Sequence, residues 1–539
     1  MSDLAIYKNG KIYTMDEQNP IVHSMAIKEG RIIAFNGEAL ALQNGAKTIQ
    51  NLNGKSVFPG FIESHAHPLH YATNLLQLDL RAEVTPSVAH ILKAVKERAA
   101  VTPKGHWILG MGWDDSKMEE KRFPTIEELS EAAPDHPVFL KRTCVHNAVA
   151  NWKAFEVSQL PQIPEDPQGG HFDINTKTGL PSGLIQENAM QLFKVPQFTK
   201  QQLLDSMRQA QQQFFRWGIT TVHDMAVTLE DYEVYKQLQE DDAFDLKLRL
   251  WMWATNLMGW KGVQNEVIAK EIPLNEGTDR LNIQGLKYML DGSVGGKTAA
   301  VEKPFEGVEQ STGILYMEQQ EINELIKEAI EHDIRISVHG IGERAIEMAV
   351  QAITNATTPE QNKQMRNRIE HCALPTEKHL QKIAEYGIIA CSSIGFVYSI
   401  GDSYLKNLGP ERAAYVFPNA TFKKYGILAP ANTDLPVCDG NPLYAIYSAV
   451  TRKTVGGQQL GTAEAISIED AMKAYTIDAA YSGKDEEIIG SLQIGKYGDF
   501  IVLDQNPYEV PSDEIKSIQV MQTVVEGKTV FQLQEAQLV

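Results

Sequence analysis

The hydrophobic positions of this chain form eight short apolar runs, which are separated by stretches with a helical period such as residues 318–332. Alternation of β-type runs with helical stretches is typical of βα units around a parallel sheet. Eight such units predict an α/β fold with a (β/α)8 TIM-like barrel rather than an open doubly wound sheet. The eight predicted strands are Ser56 to His67, Ile219 to Met225, Leu248 to Ala254, Gly285 to Asp291, Ile334 to Gly340, Arg368 to Cys372, Gly387 to Ser392 and Ile427 to Pro436.

Both ends of the chain show a different pattern, in which short alternating runs are broken by turn dipeptides. Residues 501–503 and 524–531 predict strands, with a Glu-Gly turn inside the second run. Two or three isolated strands are at best marginally stable, so we expect residues 1–57 and 485–539 to join in one small β domain rather than in two unrelated segments. Hairpin-type dipeptides near the N-terminus are Asn9-Gly10, Glu29-Gly30 and Asn53-Gly54.

The long interval from Pro68 to about Phe215 is too large for a single connection between barrel strands. It also contains two β-type runs of its own, at residues 106–113 and 137–142. We therefore predict a barrel at residues 58–484 with a large insertion after its first strand, at about residues 68–215.

Composition narrows the function classes. Hydrophobic residues make up 43% of the 539 positions and charged residues 22%, which is typical of a globular protein and excludes a collagen-like or disordered chain. The formal charge of −19 disfavours nucleic acid and anionic membrane surfaces as partners. The four cysteines form no CxxC pair, and we find no signal peptide and no apolar stretch of membrane-spanning length. We expect a cytoplasmic protein whose partner is a small-molecule substrate.

Candidate metal ligands collect at the ends of the predicted strands. His65 and His67 end the first strand, and residues two apart on a strand point to the same side. His339 and His371 end two later strands at the carboxyl side, where barrel active sites are built, and Asp434 brings a carboxylate to the same rim. Each histidine taken alone could instead be a hydrogen-bonded rim or core residue, so the prediction depends on the group.

Imidazole and carboxylate groups together suit zinc or a similar divalent ion. A protein shell that leaves one coordination position open to water is characteristic of catalytic rather than structural sites. The pattern therefore predicts a catalytic metal site at the carboxyl end of the barrel.

Several motifs in this chain resemble a known family. Residues 58–67 resemble the first-strand signature of the amidohydrolase superfamily. Residues 286–293, 338–345 and 368–372 resemble its YtcJ-like branch, amidohydrolase family 3, which includes N-substituted formamide deformylase. The resemblance spans nearly the whole chain, and it continues in residues 110–114, 145–147, 183–187 and 490–496.

The resemblance implies a metal-dependent hydrolase barrel with a β-sandwich made from both termini. It also implies that His65 and His67 hold the more buried metal and that His339 and His371 hold the more exposed one. Asp434 would bind metal and carry a proton during the reaction.

Lys287 lies near the position where many relatives have a lysine carboxylated on its amine, which bridges two metals. A charged lysine cannot ligate, so the alternative is an ordinary buried or ion-paired residue. The cofactor expected from the resemblance is zinc or another divalent metal, with one or two ions per chain. A homodimer is expected from the family alone.

The inserted segment contributes two candidates for substrate binding, His146 and Trp113. The alternative for both is internal packing of the insertion, which an aromatic side chain favours.

The leading functional prediction is hydrolysis of a C–N bond in an amide or an N-substituted formamide by a metal-activated hydroxide, with Asp434 as the catalytic acid and base. One alternative is a deaminase or cyclic amidine hydrolase of the same superfamily, which would release ammonia. Another is a catalytically silent barrel with a binding or regulatory role, since a fold does not fix a function.

Overall fold

A computed structural model describes residues 4–82, 84–115, 117–142, 147–274, 277–308 and 310–534. The chain divides into two compact units: one consists of Met1–Pro68 together with Gln211–Val539, and the other of Leu69–Ala210. No helix within the described ranges is both long enough and apolar enough to cross a membrane. The described cysteines, Cys372, Cys391 and Cys438, are buried free thiols.

We number the elements in chain order. The strands are β1 Ala5–Tyr13, β2 Ile21–Lys28, β3 Arg31–Phe35, β4 Thr48–Asn51, β5 Ser56–Pro59, β6 Phe61–Ala66, β7 Leu78–Asp79, β8 Ile108–Trp113, β9 Val138–Arg142, β10 Asn147–Ala150, β11 Gly170–Ile174, β12 Pro181–Glu187, β13 Ile219–Val227, β14 Lys247–Trp253, β15 Leu281–Met289, β16 Ile336–Gly340, β17 Arg368–His371, β18 Ile389–Ser392, β19 Phe500–Leu503, β20 Val520–Val525 and β21 Lys528–Gln532. The helices are α1 Asn36–Ala41, α2 Pro68–Leu75, α3 Val88–Val101, α4 Ile126–Ala132, α5 Trp152–Val157, α6 Lys200–Arg216, α7 Leu229–Gln239, α8 Gln264–Ile268, α9 Gln319–Glu331, α10 Glu343–Ala356, α11 Pro359–Met365, α12 Glu377–Tyr386, α13 Gly395–Ala413, α14 Asn419–Lys424, α15 Pro442–Thr451, α16 Ile468–Ala474 and α17 Ile477–Ser482.

The first unit contains a parallel sheet of seven strands in the order β18-β17-β16-β15-β14-β13-β6. Helices follow most of these strands, as in α9 between β15 and β16 and α10 between β16 and β17. The predicted α/β barrel is confirmed, and the carboxyl ends of its strands lie on one side because all seven run in the same direction.

The prediction of a regular eighth strand at residues 427–436 is wrong, although this segment does close the barrel. It bridges β18 through Ser392 and Ala431. On the other side, the backbone N–H of Asp434 donates to the carbonyl of His65 at 3.0 Å. The segment thus joins the first and last strands of the sheet without forming a ladder with either.

Two prolines explain why this segment is irregular. Pro430 and Pro436 have no backbone N–H to donate to a neighbouring strand, so neither can take part in a regular ladder. The carbonyl of Pro430 still accepts a hydrogen bond from the N–H of Ser392 at 2.9 Å. The pattern of apolar residues gives no sign of this loss of backbone donors.

The first predicted strand, 56–67, divides at Gly60 into two strands of different sheets. A Cβ atom at Gly60 would lie 2.4 Å from the side chain of Thr220, so glycine allows the chain to pass close to β13 at this point. β5 pairs with β1 and β19, whereas β6 enters the barrel beside β13. Because of this division β6 begins in the barrel, and His65 and His67 lie at its carboxyl end.

Strands from both ends of the chain form one eight-stranded sheet in the order β21-β20-β19-β5-β1-β2-β3, with β4 paired to β1. Its core includes buried side chains from both ends, such as Tyr7, Ile12, Phe500 and Val524. The N-terminal and C-terminal segments therefore share one hydrophobic core.

Of the turn dipeptides, Glu29-Gly30 and Glu526-Gly527 form the predicted hairpin turns, between β2 and β3 and between β20 and β21. Asn9-Gly10 instead lies inside β1 at an irregularity, with Asn9 at φ 58°. Asn53-Gly54 joins β4 to β5, which both pair parallel to β1. These two hairpin predictions are wrong because the left-handed φ that Asn and Gly tolerate also serves bulges and wider connections.

The second unit contains its own sheet of six strands, in the order β11-β12-β10-β9-β8-β7. β8 and β9 correspond to the two strands that we predicted within the insertion. Its hydrophobic core includes Leu80, Ile91, Val138 and Leu140.

Candidate metal centre

His65, His371 and Asp434 bring potential metal-ligand atoms together. One ring nitrogen from each histidine and one carboxylate oxygen all lie within 4.8 Å of one another. Nε2 of His65 is 3.3 Å from Oδ1 of Asp434, and all three residues are buried. We call these three residues the His–Asp centre.

Outer hydrogen bonds orient the two imidazoles of the His–Asp centre. Nδ1 of His65 lies 2.6 Å from Oε2 of Glu370, and Nδ1 of His371 lies 2.7 Å from Oγ of Ser393. The hydroxyl of Ser393 in turn donates to Oδ1 of Asn432 at 2.6 Å. With Nδ1 engaged in each ring, Nε2 is left as the ligand atom, which is the usual arrangement of metal-binding histidines.

The backbone at His371 and Asp434 turns these side chains toward the centre. Adjacent residues of a strand point to opposite sides, so Glu370 and His371 should face apart. His371 has φ 68° and Asp434 has φ 55°, both in the left-handed region that non-glycine residues rarely adopt. Such backbone conformations concentrate at functional sites. The left-handed φ of His371 lets Glu370 and His371 reach the same group of residues.

His67 lies at the border of the His–Asp centre, between two carboxylates. Its Nε2 is 3.1 Å from Oδ1 of Asp434, and its Nδ1 is 3.8 Å from Oδ1 of Asp224. Burial lowers the pKa of His67, but Asp224 and Asp434 outweigh burial and raise it to about 9. The side chain of His67 is 19% exposed, more than those of His65 and Asp434.

His339 lies beside His371 of the His–Asp centre. The ring centroids of the two histidines are 4.5 Å apart. Nε2 of His339 is 3.2 Å from the carbonyl oxygen of Gly292 and 3.3 Å from Oδ1 of Asp291. The five sequence-predicted histidine and aspartate residues are therefore neighbours in the structure.

Asp291 fixes the backbone around His339, a role that the sequence did not reveal. Its carboxylate accepts hydrogen bonds from the N–H groups of Ala300 at 2.8 Å, Ile341 at 3.1 Å and Gly342 at 2.9 Å. Gly342 caps α10, so this carboxylate ties the end of β16 to the start of the next helix. The position of His339 depends on that connection.

We expect Gly342→Ala to lower the free energy of unfolding by about 1 to 3 kcal/mol, because forcing atoms into a packed site displaces backbone. A Cβ atom at Gly342 would lie 2.2 Å from the carbonyl oxygen of Ala300. Urea unfolding measures the effect. The control is Gly37→Ala, where an added Cβ meets nothing within 4 Å. Equal stability of the two variants would contradict the prediction.

Lys287 is buried near two acidic residues of the site, Glu370 and Asp434. The residue is 3% exposed, and its Nζ has no hydrogen-bond partner among the described residues. Burial lowers the pKa of Lys287 to about 8, against the opposing effect of the nearby Glu370 and Asp434. This amine therefore loses its proton more readily than that of an exposed lysine.

Electrostatics set the ionisation of the His–Asp centre. Burial would raise the pKa of Asp434, but His65 and His67 beside it hold that pKa well below its usual range. Burial lowers the pKa of His371 well below its ordinary value, and the neighbouring His339 adds to this. The ionised carboxylate of Asp434 and the neutral imidazole of His371 are in the protonation states that metal ligation requires.

Glu370 and Arg368 form a fully buried ion pair behind His65. Nη2 of Arg368 donates to Oε2 of Glu370 at 2.9 Å and to the carbonyl of Ser64 at 2.6 Å. The hydroxyl of Ser337 donates to Oε1 of Glu370 at 2.7 Å. Burial would raise the pKa of Glu370, but Arg368 and His65 hold it well below its usual range. In the sequence, this ion pair could have been recognised from two opposite charges that lie two positions apart on a predicted buried strand.

Glu63 supports Asp434 through the backbone, and the sequence did not reveal this either. Its carboxyl accepts from the N–H of Thr433 at 3.1 Å and from the hydroxyl of Thr433 at 2.9 Å. Burial raises the pKa of Glu63 to about 8. Glu63, His65 and His67 alternate along β6 and its end, so one face of this strand supplies both candidate ligands and their support.

The two candidates for substrate binding lie in the inserted segment. His146 is outside the described residues. Trp113 is 1% exposed in the core of the second unit, and its indole N–H donates to the carbonyl of Leu140 at 2.8 Å. Packing accounts for this environment, and a contact between Trp113 and substrate stays a prediction.

Known proteins match this sequence over nearly its whole length. The model of the amidohydrolase family matches residues 48–531. "Putative amidohydrolase YtcJ" of Bacillus subtilis is 27% identical over 98% of this chain and 99% of its own length. The N-substituted formamide deformylase of Arthrobacter pascens is 24% identical over 98% of each chain.

A solved structure agrees with the fold. The crystal structure of an uncharacterized metal-dependent hydrolase from Pyrococcus horikoshii is 26% identical, with a TM-score of 0.76 over 95% of this chain and 99% of that chain. The family match covers most of the sequence, including the segments that carry His65, His371 and Asp434. This chain belongs to the amidohydrolase family.

Proposed function

We propose that this protein is a metal-dependent hydrolase that cleaves the C–N bond of an amide, with N-substituted formamides as the leading substrate class. The observation that carries the proposal is the His–Asp centre, whose three buried ligand atoms lie within 4.8 Å of one another. The similarity to a formamide deformylase over the whole chain supports the substrate class.

The residues around the His–Asp centre suit a divalent metal, most simply zinc. Imidazole nitrogen and carboxylate oxygen are donors that zinc accepts. The buried Nζ of Lys287, which has no hydrogen-bond partner in the described part of the chain, is available for carboxylation and would then be an acidic ligand. Six residues would hold one or two ions: His65, His67, Lys287, His339, His371 and Asp434.

When bound, such a metal supplies a water molecule of lowered pKa and polarises the carbonyl group of the substrate. Asp434 is ionised, and its Oδ1 lies between His65 and His67. We assign to Asp434 the acceptance of the proton from the attacking water and its return to the leaving amine. Glu370 and Ser393 keep the two imidazoles in position during these transfers.

A substrate panel tests the proposal. Zinc-loaded protein would be incubated with N-substituted formamides, acetamides and cyclic amidines, and formate, amine and ammonia would be measured separately. We expect formate and amine from the formamides. Ammonia from amidines alone would identify a deaminase, and no product from zinc-loaded protein would favour the catalytically silent barrel.

We expect Lys287→Ala to lose most of its activity and to regain part of it when acetate or propionate is added. A free carboxylate can occupy the space left by the side chain and replace a carboxylated amine as ligand. Metal per chain should fall in the same variant and rise again with the added acid. The control is Lys287→Arg, which keeps the positive charge and leaves no space, so added acid should not rescue it. Wild-type metal content and activity in Lys287→Ala would return Lys287 to a structural role.

A further inference from the structure

The ring of Phe396 separates Tyr404 from His371 of the His–Asp centre. It is part of α13 and is 1% exposed. Its ring packs against Phe396 and Phe417, with centroids 6.4 Å and 5.6 Å away. Phe396 in turn stacks on the ring of His371 at 5.7 Å. Tyr404 is thereby held in a fixed orientation next to the candidate site.

The hydroxyl of Tyr404 has no hydrogen-bond partner among the described residues. Burying such a group without a partner costs roughly 1 to 3 kcal/mol. Three acidic groups lie near enough to this hydroxyl to affect its ionisation: Cys438, Asp291 and Asp434. Since Asp291 and Asp434 adjoin His339 and His65, the hydroxyl lies near the site.

Burial raises the pKa of Tyr404 well above its ordinary value, and the three acidic groups add to this effect. The hydroxyl therefore keeps its proton and is a donor at any working pH. Two ring N–H groups of the site are already engaged, because Nδ1 of His65 and of His371 each has an outer partner.

We propose that the hydroxyl of Tyr404 donates a hydrogen bond to the carbonyl oxygen of the substrate and stabilises the negative charge that develops there when water attacks. This inference rests on the proposed function and identifies a catalytic residue that binds the reacting oxygen. A neutral donor that keeps its proton suits this role, because donors aimed at a developing oxyanion act mainly in the transition state.

The test compares Tyr404→Phe with Tyr475→Phe. Tyr475 is also fully buried, and its hydroxyl likewise lacks a partner in the described ranges, but the acidic groups that face it are Glu63 and Cys438. With a formamide substrate, we expect Tyr404→Phe to lower kcat about 100-fold to 1000-fold, as removal of one oxyanion donor does, with KM changed less than about threefold. Tyr475→Phe should keep kcat near the wild-type value, and metal content should be equal in all three proteins.

A binding measurement separates this inference from the proposed function. Benzohydroxamate binds zinc through two oxygens, and its affinity for the zinc-loaded proteins can be measured by calorimetry without turnover. We expect Tyr404→Phe to raise the Kd about tenfold and Tyr475→Phe to leave it unchanged.

Weakened hydroxamate binding by Tyr404→Phe would support the donor even if wild-type protein hydrolysed none of the formamides, which would overturn only the proposed substrate class. Equal Kd in wild type and Tyr404→Phe, or absence of hydroxamate binding by zinc-loaded wild type, would overturn the inference. Equal kcat on a substrate that wild type does hydrolyse would also overturn it.

Discussion

Replacing Asp434 by asparagine is expected to lower turnover by at least about 1000-fold while the chain stays folded, since loss of a general acid or base costs up to 10⁴-fold. The carboxylate lies 3.3 Å from Nε2 of His65 and 3.1 Å from Nε2 of His67. Asparagine keeps the shape and the backbone hydrogen bond to the carbonyl of His65. It cannot accept the proton of the attacking water, and it is a weaker metal ligand.

The assay would measure kcat and thermal unfolding of Asp434→Asn side by side. Asp504→Asn is the matched control. This aspartate follows β19 of the eight-stranded sheet and accepts a hydrogen bond from the N–H of Gln519. The control should keep wild-type turnover. Near-normal turnover by Asp434→Asn would remove Asp434 from the catalytic assignment.

Replacing Glu370 by glutamine is expected to lower the free energy of unfolding by about 3 to 5 kcal/mol, because it leaves the charge of Arg368 buried and unpaired. Both side chains are 0% exposed. The same carboxylate also holds Nδ1 of His65 at 2.6 Å. Loss of this outer partner should weaken metal binding about 10-fold to 100-fold.

Urea unfolding and metal competition against a chelator measure the two effects. The matched control is Glu464→Gln: this buried glutamate accepts hydrogen bonds only from neutral groups of Thr421, at 2.7 Å and 2.9 Å, among the contacts that the structure describes. Its replacement should cost less stability and leave metal affinity unchanged. If Glu370→Gln matched this control in both measurements, the buried pair would not support the site.

Three of the candidate ligands could be predicted because they lie at the carboxyl ends of parallel strands. His65, His339 and His371 end apolar runs, and parallel strands of a barrel place such ends on one side. The outline of the barrel follows from the same periodicity. Seven of the eight predicted strands are present, although the first is shorter because Gly60 divides its run.

The supporting residues could not be predicted with the same rule. Alternation along β17 places Glu370 and His371 on opposite sides, and only the left-handed backbone of His371 brings both to one place. Asp291 acts on backbone N–H groups up to 51 positions away in the sequence. Such contacts depend on tertiary packing, which local patterns of hydrophobic and polar residues do not encode.

The irregular segment at residues 427–436 could not be predicted for a different reason. Its apolar residues match a buried strand, but Pro430 and Pro436 remove two backbone donors. The segment then closes the barrel by a few hydrogen bonds and presents Asp434 with φ 55°. A regular strand would have fixed that backbone in the extended region, with Asp434 directed differently.

The amount of metal bound per chain tests the central claim most directly. Protein purified without chelator would be measured by elemental mass spectrometry, before and after reconstitution with zinc. We predict one or two divalent ions per chain, which the His–Asp centre and its neighbours His67, His339 and Lys287 would hold. A chain that binds no metal even after reconstitution would contradict the account.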